Sequence, residues 1–529
     1  MTKKYLLREL CRYSLGTFAD IIHRNAILYP DSEAFVYQSE RVTFKDFNER
    51  VNRLIHGLNA LGLKKGDIIG ILSWNQLEYP EVFGAAMKGG FILAHYNPRL
   101  HADELVHVIN DSEPRVLFLG SELVETIDGI LKQLPETEFF LSFGDEQGQV
   151  KAYKGMMKGQ PIEEPESRVT EEDLLTIFYT SGTTGIPRGA IYKHRQKMEN
   201  TCMKALDIGV QFGDRHLVVL PMFHIGGDSH IWPFFLKGGC NVIMPVPFDL
   251  ADALKTIQEE RITDIHIVPT QLVALLSLPD INKYDLQGLK RIWYAASPMP
   301  TEVLKQGLSV FGSKFIQGYG LSETGPDVTV LSQENHHIPE ESIEALSVLA
   351  SCGRPCIGVH VRIVDDNGRD VEEGKIGEIV VQSKRIMTGY YHRPEETEEA
   401  IRDGWFYTGD MGYYDEKGYI YIADRKKDMI ITGGENVYPI EVENVLYRHP
   451  AVKEVAVIGV PDPYWVERVH ALVILKEDSQ ATEEDIITFC KDNIAHYKSP
   501  KSVEFVDDLP KNPQGKILKK EIRTKYWQE

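Results

Sequence analysis

Cysteine is scarce, with six in 529 residues. At positions 11, 202, 240, 352, 356 and 490 they are too few for a disulfide scaffold, and no Cys/His grouping has zinc-ligand spacing. Cys352 and Cys356 come closest, but Gly353-Arg354-Pro355 between them reads as a turn carrying incidental thiols. No stretch approaches the roughly 18 apolar residues of a membrane span. Near the start, Tyr5-Leu6-Leu7 is the longest uninterrupted apolar run, too short for the core of a signal peptide. Leu6, Leu7 and Leu10 are expected to line one face of a short helix packed against the body. These absences point to the reducing cytoplasm. Positive charge is also in deficit: 58 Lys and Arg against 78 Asp and Glu give a net charge of -20, which repels a phosphate backbone and argues against nucleic acid as a partner. There is no internal repeat, no low-complexity tract and no G-x-x-x-x-G-K-[ST] phosphate loop.

What is present looks globular, with 43% apolar and 26% charged residues and a length sufficient for several cores. Phe47, Val51, Leu54, Ile55, Leu58 and Leu61 recur at three- and four-residue intervals and predict a helix with one apolar face. Ile68–Leu72 then reads as a buried strand, and the alternation continues through Val116–Leu119, Leu217–Leu220, Ile265–Val268 and Ile292–Ala295. Strands separated by helix-length segments imply a largely parallel sheet covered on both faces. Residues 144–170, rich in Gly, Lys, Glu and Pro, read as an exposed connection. After Asp424-Arg425-Lys426-Lys427-Asp428 the texture changes to short strands, a helix beginning near Thr482 and a lysine-rich tail, which marks a hinge between a large lobe and a small one.

Chemistry concentrates first in Tyr179-Thr180-Ser181-Gly182-Thr183-Thr184-Gly185-Ile186-Pro187-Arg188-Gly189. Glycines let main-chain N–H groups approach an anion, hydroxyls add neutral donors, and Arg188 supplies a cation at the exit. Strand patterns flank it on both sides. Four more segments follow: Gln317-Gly318-Tyr319-Gly320-Leu321-Ser322-Glu323-Thr324, Tyr407-Thr408-Gly409-Asp410, Gly433-Gly434-Glu435-Asn436-Val437-Tyr438-Pro439, and Pro510-Lys511-Asn512-Pro513-Gln514-Gly515-Lys516.

In this order the five segments resemble the acyl-adenylate-forming superfamily, which includes the AMP-forming acyl-CoA synthetases, and the resemblance covers essentially the whole chain. It implies an α/β fold: a large N-terminal lobe of mixed, mainly parallel sheets covered by helices (1–424), and a small mobile α+β lobe (425–529). The implied reaction joins a carboxylic acid to AMP at the expense of ATP with Mg²⁺, then passes the acyl group to coenzyme A. An acyl carrier protein is the alternative acceptor, disfavoured because the chain ends soon after Lys516. The apolar character of the residues around His224 suggests a medium- or long-chain, alicyclic or aromatic acid. No partner beyond these small molecules is implied, and the assembly state, a homodimer included, is left open.

Residue by residue, the resemblance implies that Thr180, Ser181, Gly182, Thr183, Thr184 and Arg188 hold the β- and γ-phosphates, and that Glu323 ligates Mg²⁺ beside Ser322. Ala296, Ser297, Gln317, Gly318 and Tyr319 would enclose adenine, Asp410 would take the ribose hydroxyls with Ile422 nearby, and Arg425 would face the ribose and α-phosphate. Lys516 would be the catalytic lysine, Lys427 the hinge, and Gly433 and Gly434 the lining of a thiol channel. Phe223, His224, Ile225, Gly226, Trp293, Tyr294 and Ala295 would border the acyl group, with Gly226, Gly227 and Ala295 leaving room for it. Three positions depart from the family's pattern: Arg188 stands where lysine is common, Ser322 where threonine is usual, and Val466 where glycine is common.

Overall fold

The computed structural model describes residues 6–180, 187–337, 347–432, 435–462, 464–512 and 515–527. Apolar runs between Ile68 and Leu321 build two large sheets. In one, the strands Arg215–Val218, Cys240–Ile243, Asp264–Ile267, Arg291–Tyr294 and Phe315–Leu321 lie parallel. In the other, Ile68–Leu72, Ile92–Tyr96, Val116–Leu119, Phe139–Ser142 and Leu174–Thr180 do the same. Every residue of Ile68–Leu72 and of Ile92–Tyr96 is buried, because helices cover both faces of a parallel sheet and leave no wet side to alternate with. The helix Phe44–Ala60 shows how the covering layer is specified. Thr43 and Asp46 close a reciprocal capping box at its start, while Phe47, Val51, Leu54, Ile55 and Leu58 are at most 1% exposed.

A third, antiparallel sheet contains Val359–Val364, Gly377–Ser383, Trp405–Tyr414 and Ile420–Arg425. The fourth sheet begins with Ile430–Thr432 and includes Val452–Asp462, Val466–Leu475 and Ser502–Phe505. Its helix Glu483–Asn493 starts from a capping box on Thr482. The chain therefore passes from the third sheet to the fourth across Lys426–Met429, which overlaps the charged stretch read as a hinge at Lys426, Lys427 and Asp428. The α/β architecture, with large, mainly parallel sheets first and a smaller α+β unit last, is the one anticipated. Among the described residues no helix is long and apolar enough to cross a membrane.

Two expectations need correction. Among the described residues the helix at the start of the chain spans only Leu6–Glu9, so Leu10 falls outside it. The 144–170 connection is not a purely exposed strap, because Glu164 inserts into the large lobe. It pairs with the fully buried Lys88 at 2.5 Å, accepts from Tyr13 Oη at 2.6 Å and from Asn48 Nδ2 at 2.7 Å, and Lys88 also donates to Asn48 and Asn52 at 2.6 and 2.8 Å. A buried ammonium is tolerable only with such partners. Burial still pulls Lys88 down to about 8, while the partners of Glu164 overcome its own burial and lower its pKa. Composition indicated an exposed loop because one carboxylate meeting a distant lysine leaves no periodic trace. Glu164→Ala should cost about 3 kcal/mol of stability by leaving Lys88 charged and unpaired, and the double change Lys88→Met/Glu164→Gln should cost less than that single change. Chemical denaturation of the three proteins checks both statements.

Candidate active site

The strands Leu174–Thr180 and Arg188–Lys193 form an antiparallel hairpin in which Thr180 and Arg188 face each other. The hairpin thus holds both ends of the hydroxyl- and glycine-rich loop, whose residues Ser181, Gly182, Thr183 and Thr184 lie outside the described residues, as do Gly433 and Gly434. Just beyond the strand Phe315–Leu321, Glu323 comes against the hairpin. Its Oε1 accepts from Thr180 Oγ1 at 3.2 Å and from Tyr390 Oη at 3.1 Å. Arg188 lies 4.4 Å from the centre of the Tyr390 ring and pairs with Glu396 at 2.9 Å. Ser322 accepts a short hydrogen bond from Tyr192 Oη on its main-chain carbonyl. A hydroxyl, a carboxylate and a guanidinium therefore share one wall at the mouth of the loop.

A second wall stands beside it. Asp410, 4% exposed, accepts from Tyr319 Oη at 2.8 Å and pairs with Arg425 Nε at 2.9 Å. Asp410 and Arg425 are cross-strand partners, so sheet register brings them together, and the Asp410 carboxylate in turn holds the Arg425 pKa up. Ile422 sits on the same strand, partly buried against the third-sheet core. Gly318 has no space for a side chain, since a Cβ there would come within 2.6 Å of Trp293 and of Asp327. Ala296 adopts φ 76°, a left-handed conformation that costs a non-glycine residue on the order of 1 kcal/mol, and Ser297 follows it. Gln317 is buried, near Tyr294 Oη at 3.4 Å.

Lys516 reaches this wall from the far end of the chain. Asn512 Oδ1 accepts from the Lys516 amide, and the Asn512 amide donates back to the Lys516 carbonyl, both at 2.8 Å. Gly515 has φ 74°, and a Cβ on it would stand 2.3 Å from Thr270 Oγ1 and 3.3 Å from Val268. Glycine is thus demanded twice, by conformation and by the close approach of the large lobe. Burial brings Lys516 down to about 8, helped by the nearby cations Arg425 and Lys427 and opposed by Asp410 and Asp428. Lys427 is also lowered, by burial and then by Arg425, and its carbonyl accepts from Arg523 Nη1 at 3.0 Å.

The third region is the start of the helix Ile225–Leu236. His224 precedes it, with its ring 4.3 Å from that of Phe223, and burial pushes His224 down to about 3. Gly226 is open, its nearest neighbour for an added Cβ being His266 at 4.0 Å, whereas at Gly227 a Cβ would meet the Pro221 carbonyl at 2.2 Å. Gly227 therefore serves backbone packing and leaves no room for a substrate. Trp293 and Ala295 point to one face of their strand; Tyr294 points to the other, where its hydroxyl bonds His336 at 3.0 Å. That alternation separates Tyr294 from the acyl-side group in which the sequence reading placed it.

Sequence reasoning missed Tyr390, Glu396 and Thr270, whose contacts span long stretches of chain without a local pattern. It also missed the inner face of the helix His194–Ile208. There Lys197, Asn200, Thr201 and Lys204 are all buried, polar residues at the three- and four-residue spacing that normally carries a core stripe. That inverted stripe was the available signal.

A hydroxyl loop, a carboxylate beside it, an Asp–Arg pair and a lysine delivered by a terminal unit define an enzyme that handles a nucleoside triphosphate. Comparison with known proteins agrees. The model of the AMP-binding enzyme family matches residues 22–391, and that of the AMP-binding enzyme C-terminal domain matches 441–516. The chain is 36% identical to a feruloyl-CoA synthase of Amycolatopsis sp., covering 95% of this chain and 98% of that one. It is 34% identical to the fatty acid–[acyl-carrier-protein] ligase ScoC of Streptomyces coeruleorubidus, over 94% of each. Among solved structures, the anthranilate CoA ligase AuaEII in complex with anthranoyl-AMP superposes with a TM-score of 0.89 at 28% identity, covering 96% of this chain and 97% of that one. The chain belongs to the AMP-binding enzyme family, and within it to the ATP-dependent, AMP-forming acyl-CoA synthetases.

Gly515→Ala should displace Lys516 from the Asp410–Arg425 wall. If Lys516 has the catalytic role that the family resemblance implies, carboxylate-dependent exchange between ATP and pyrophosphate falls at least tenfold, since small displacements of a catalytic group cost about that much or more. Unchanged exchange would mean that the Thr270 contact does not set the position of the lysine.

Proposed function

We propose that the enzyme activates a carboxylic acid as its acyl-AMP and transfers the acyl group to coenzyme A, with Lys516 as the residue that brings carboxylate and α-phosphate together. The observation that carries this reading is the convergence of Lys516 on Asp410 and Arg425 while Gly515 abuts Thr270. A carboxylate and a triphosphate repel each other, and a compact ammonium between them neutralises both as the acid oxygen attacks the α-phosphorus and pyrophosphate departs. Thr180 with the adjoining loop and Arg188 hold the departing phosphates, Asp410 accepts from the ribose hydroxyls, and Ala296, Ser297, Gln317 and Gly318 lie around the base.

Arg188 is engaged by Glu396 in the structure, so binding phosphate requires it to exchange that carboxylate for another anion. Its charge substitutes for the more common lysine, with a planar fork in place of a point charge. Magnesium fits at Glu323: the donor is a hard carboxylate ringed by hydroxyls, and no group of three or more ligating side chains among the described residues would hold a metal without the triphosphate. When bound, Mg²⁺ supplies charge neutralisation for the phosphate oxygens.

In the second step a thiol attacks the acyl carbonyl and AMP leaves. The two domains meet where the strand Ile420–Arg425 ends, and rotation near Lys427 withdraws Lys516 and admits the thiol. Asp424 is pushed up to about 6 by burial. It lies 3.8 Å from Lys519, which also pairs with Glu443 at 2.8 Å, so the Asp424–Lys519 contact spans the boundary and a rotation would rearrange it, while Lys519 keeps Glu443 within the small unit. Coenzyme A is the favoured acceptor because the feruloyl-CoA synthase and anthranilate CoA ligase relatives are named for it. Likeness to ScoC supports an acyl carrier protein as the second reading, and parallel assays with the two acceptors separate them.

Lys516→Ala should lower acyl-AMP formation by about 10²–10³-fold and leave conversion of preformed acyl-AMP to acyl-CoA largely intact. Normal adenylation by this variant would refute the assignment. The pH dependence follows from the lysine's environment. A lysine is catalytically charged only below its pKa, so with Lys516 at about 8 kcat/KM for adenylation should fall as pH rises through about 8. Lys516→Arg should remove that falling limb, at reduced overall rate, because a guanidinium stays charged. Rate profiles of ATP–pyrophosphate exchange for the two proteins provide the check.

A further inference from the structure

Between the helices His194–Ile208 and Ile225–Leu236 and the large parallel sheet lies a buried region of unusual polarity. Lys197 is paired with Asp228 by a short contact, and Lys204 with Asp327 at 3.0 Å. Both pairs are nearly dry, their side chains being at most 6% exposed. Below them three histidines from three elements come together: the His230 ring centre is 5.7 Å from that of His216 and 4.0 Å from that of His266. Trp293 stands 5.3 Å from His230, and Lys204 lies 4.8 Å over the indole.

These rings are short of partners. Both nitrogens of His230, both of His266, Nδ1 of His216 and the Trp293 Nε1 are buried without a hydrogen bond among the described residues. The Gly226 carbonyl approaches His230 and His266 closely enough to oppose burial slightly, but burial dominates and keeps both imidazoles neutral. A neutral imidazole carries one donor and one acceptor, so each ring offers both. Leaving several such atoms unpaired costs on the order of 1–3 kcal/mol apiece. A core free to choose would use leucine or phenylalanine here, and their absence demands a reason.

The location supplies one. Gly226, beside His224 and Ile225, directly adjoins His266, whose ring lies 4.0 Å from where a Cβ on Gly226 would stand, so no side chain separates the helix start from the cluster. Ala295 and Trp293 lie on one strand face, so a molecule entering near the strand ends meets Ala295 first and the indole deeper. The two lysines are each cancelled by an aspartate, so the walls carry no formal surplus of charge, and the offered groups are neutral donors and acceptors.

We infer that the far end of the acyl pocket is a hydrogen-bonding cluster formed by His230, His266 and the Trp293 indole, and that the acid carries a neutral hydroxyl or carbonyl at the end remote from its carboxylate. This rests on the reading of the enzyme as an acyl-CoA ligase with its acyl group beside His224. A pocket that pairs with a substrate hydroxyl discriminates strongly against the analogue lacking it, because its own groups are then left stranded. Plain alkyl acids of equal length are accordingly poor substrates.

The test uses the full-length enzyme with ATP, CoA and two matched pairs: cinnamate with 4-hydroxycinnamate, and octanoate with 8-hydroxyoctanoate. AMP release should give a kcat/KM at least tenfold higher for the hydroxylated member of at least one pair. His230→Leu, or Trp293→Phe should the first variant fold poorly, should shrink that ratio at least fivefold without abolishing turnover of the unsubstituted acid. Equal or better use of the unsubstituted member in both pairs overturns the inference while sustaining the ligase reading. A ratio unmoved in a folded variant overturns it too, and release of no AMP from any of the four acids overturns both.

Discussion

Crowding of positive charge governs this site. Arg425, Lys427 and Lys516 lie within electrostatic reach of one another, offset by Asp410 and Asp428 and, at Arg425, by Glu323 as well. Like charges at close quarters are costly, and burial makes them more so. The fold accepts the cost because three separate constraints impose it. Sheet register fixes Arg425 opposite Asp410, the turn after that strand carries Lys427, and the Gly515–Thr270 contact seats the lysine loop on the large lobe. An anionic ligand relieves the strain. A fixed cluster of cations of this kind is suited to an anion such as phosphate, which is how electrostatic preorganisation works.

The same economy appears on the opposite wall. Glu323 and Arg188 already occupy positions beside the loop, each held by an interaction that a bound nucleotide would replace or extend. Thr180 and Tyr390 orient the carboxylate, and Glu396 with the face of Tyr390 orients the guanidinium. Tyr390 thus steadies the two charged groups at the mouth of the loop, from a segment with no chemistry of its own in the sequence. Farther in, the Lys197–Asp228 and Lys204–Asp327 pairs let a helix keep a polar inner face, and that face makes the acyl side distinctive.

How much of this the sequence revealed depends on whether a feature was local. The helix at Phe47–Leu58, the strand Ile68–Leu72 and the cap at Thr482 were legible because period and capping are properties of neighbouring residues. The hairpin that carries the hydroxyl- and glycine-rich loop was legible because apolar strand patterns flank it on both sides. Lys516 stood out only through the order of distant segments. Glu164 on Lys88, Tyr390 on Glu323 and Thr270 under Gly515 were invisible, since each joins residues between 67 and 245 positions apart. Tyr294 was misplaced by treating a strand end as if both its faces met the substrate. Gly227 was misread because a glycine that makes space for a ligand and one that admits a backbone carbonyl look the same in a sequence.

The ionisation of Lys516 tests the central claim most directly. Its pKa can be followed by NMR of the reductively methylated side chain in the free enzyme and with a non-hydrolysable ATP analogue bound, using Lys516→Arg to assign the signal. Convergence of the lysine on the Asp410–Arg425 wall predicts a value of about 8 in the free enzyme, rising when the anion arrives. A free-enzyme value near the ordinary 10.4 or so of a solvated lysine, unmoved by nucleotide, would contradict it.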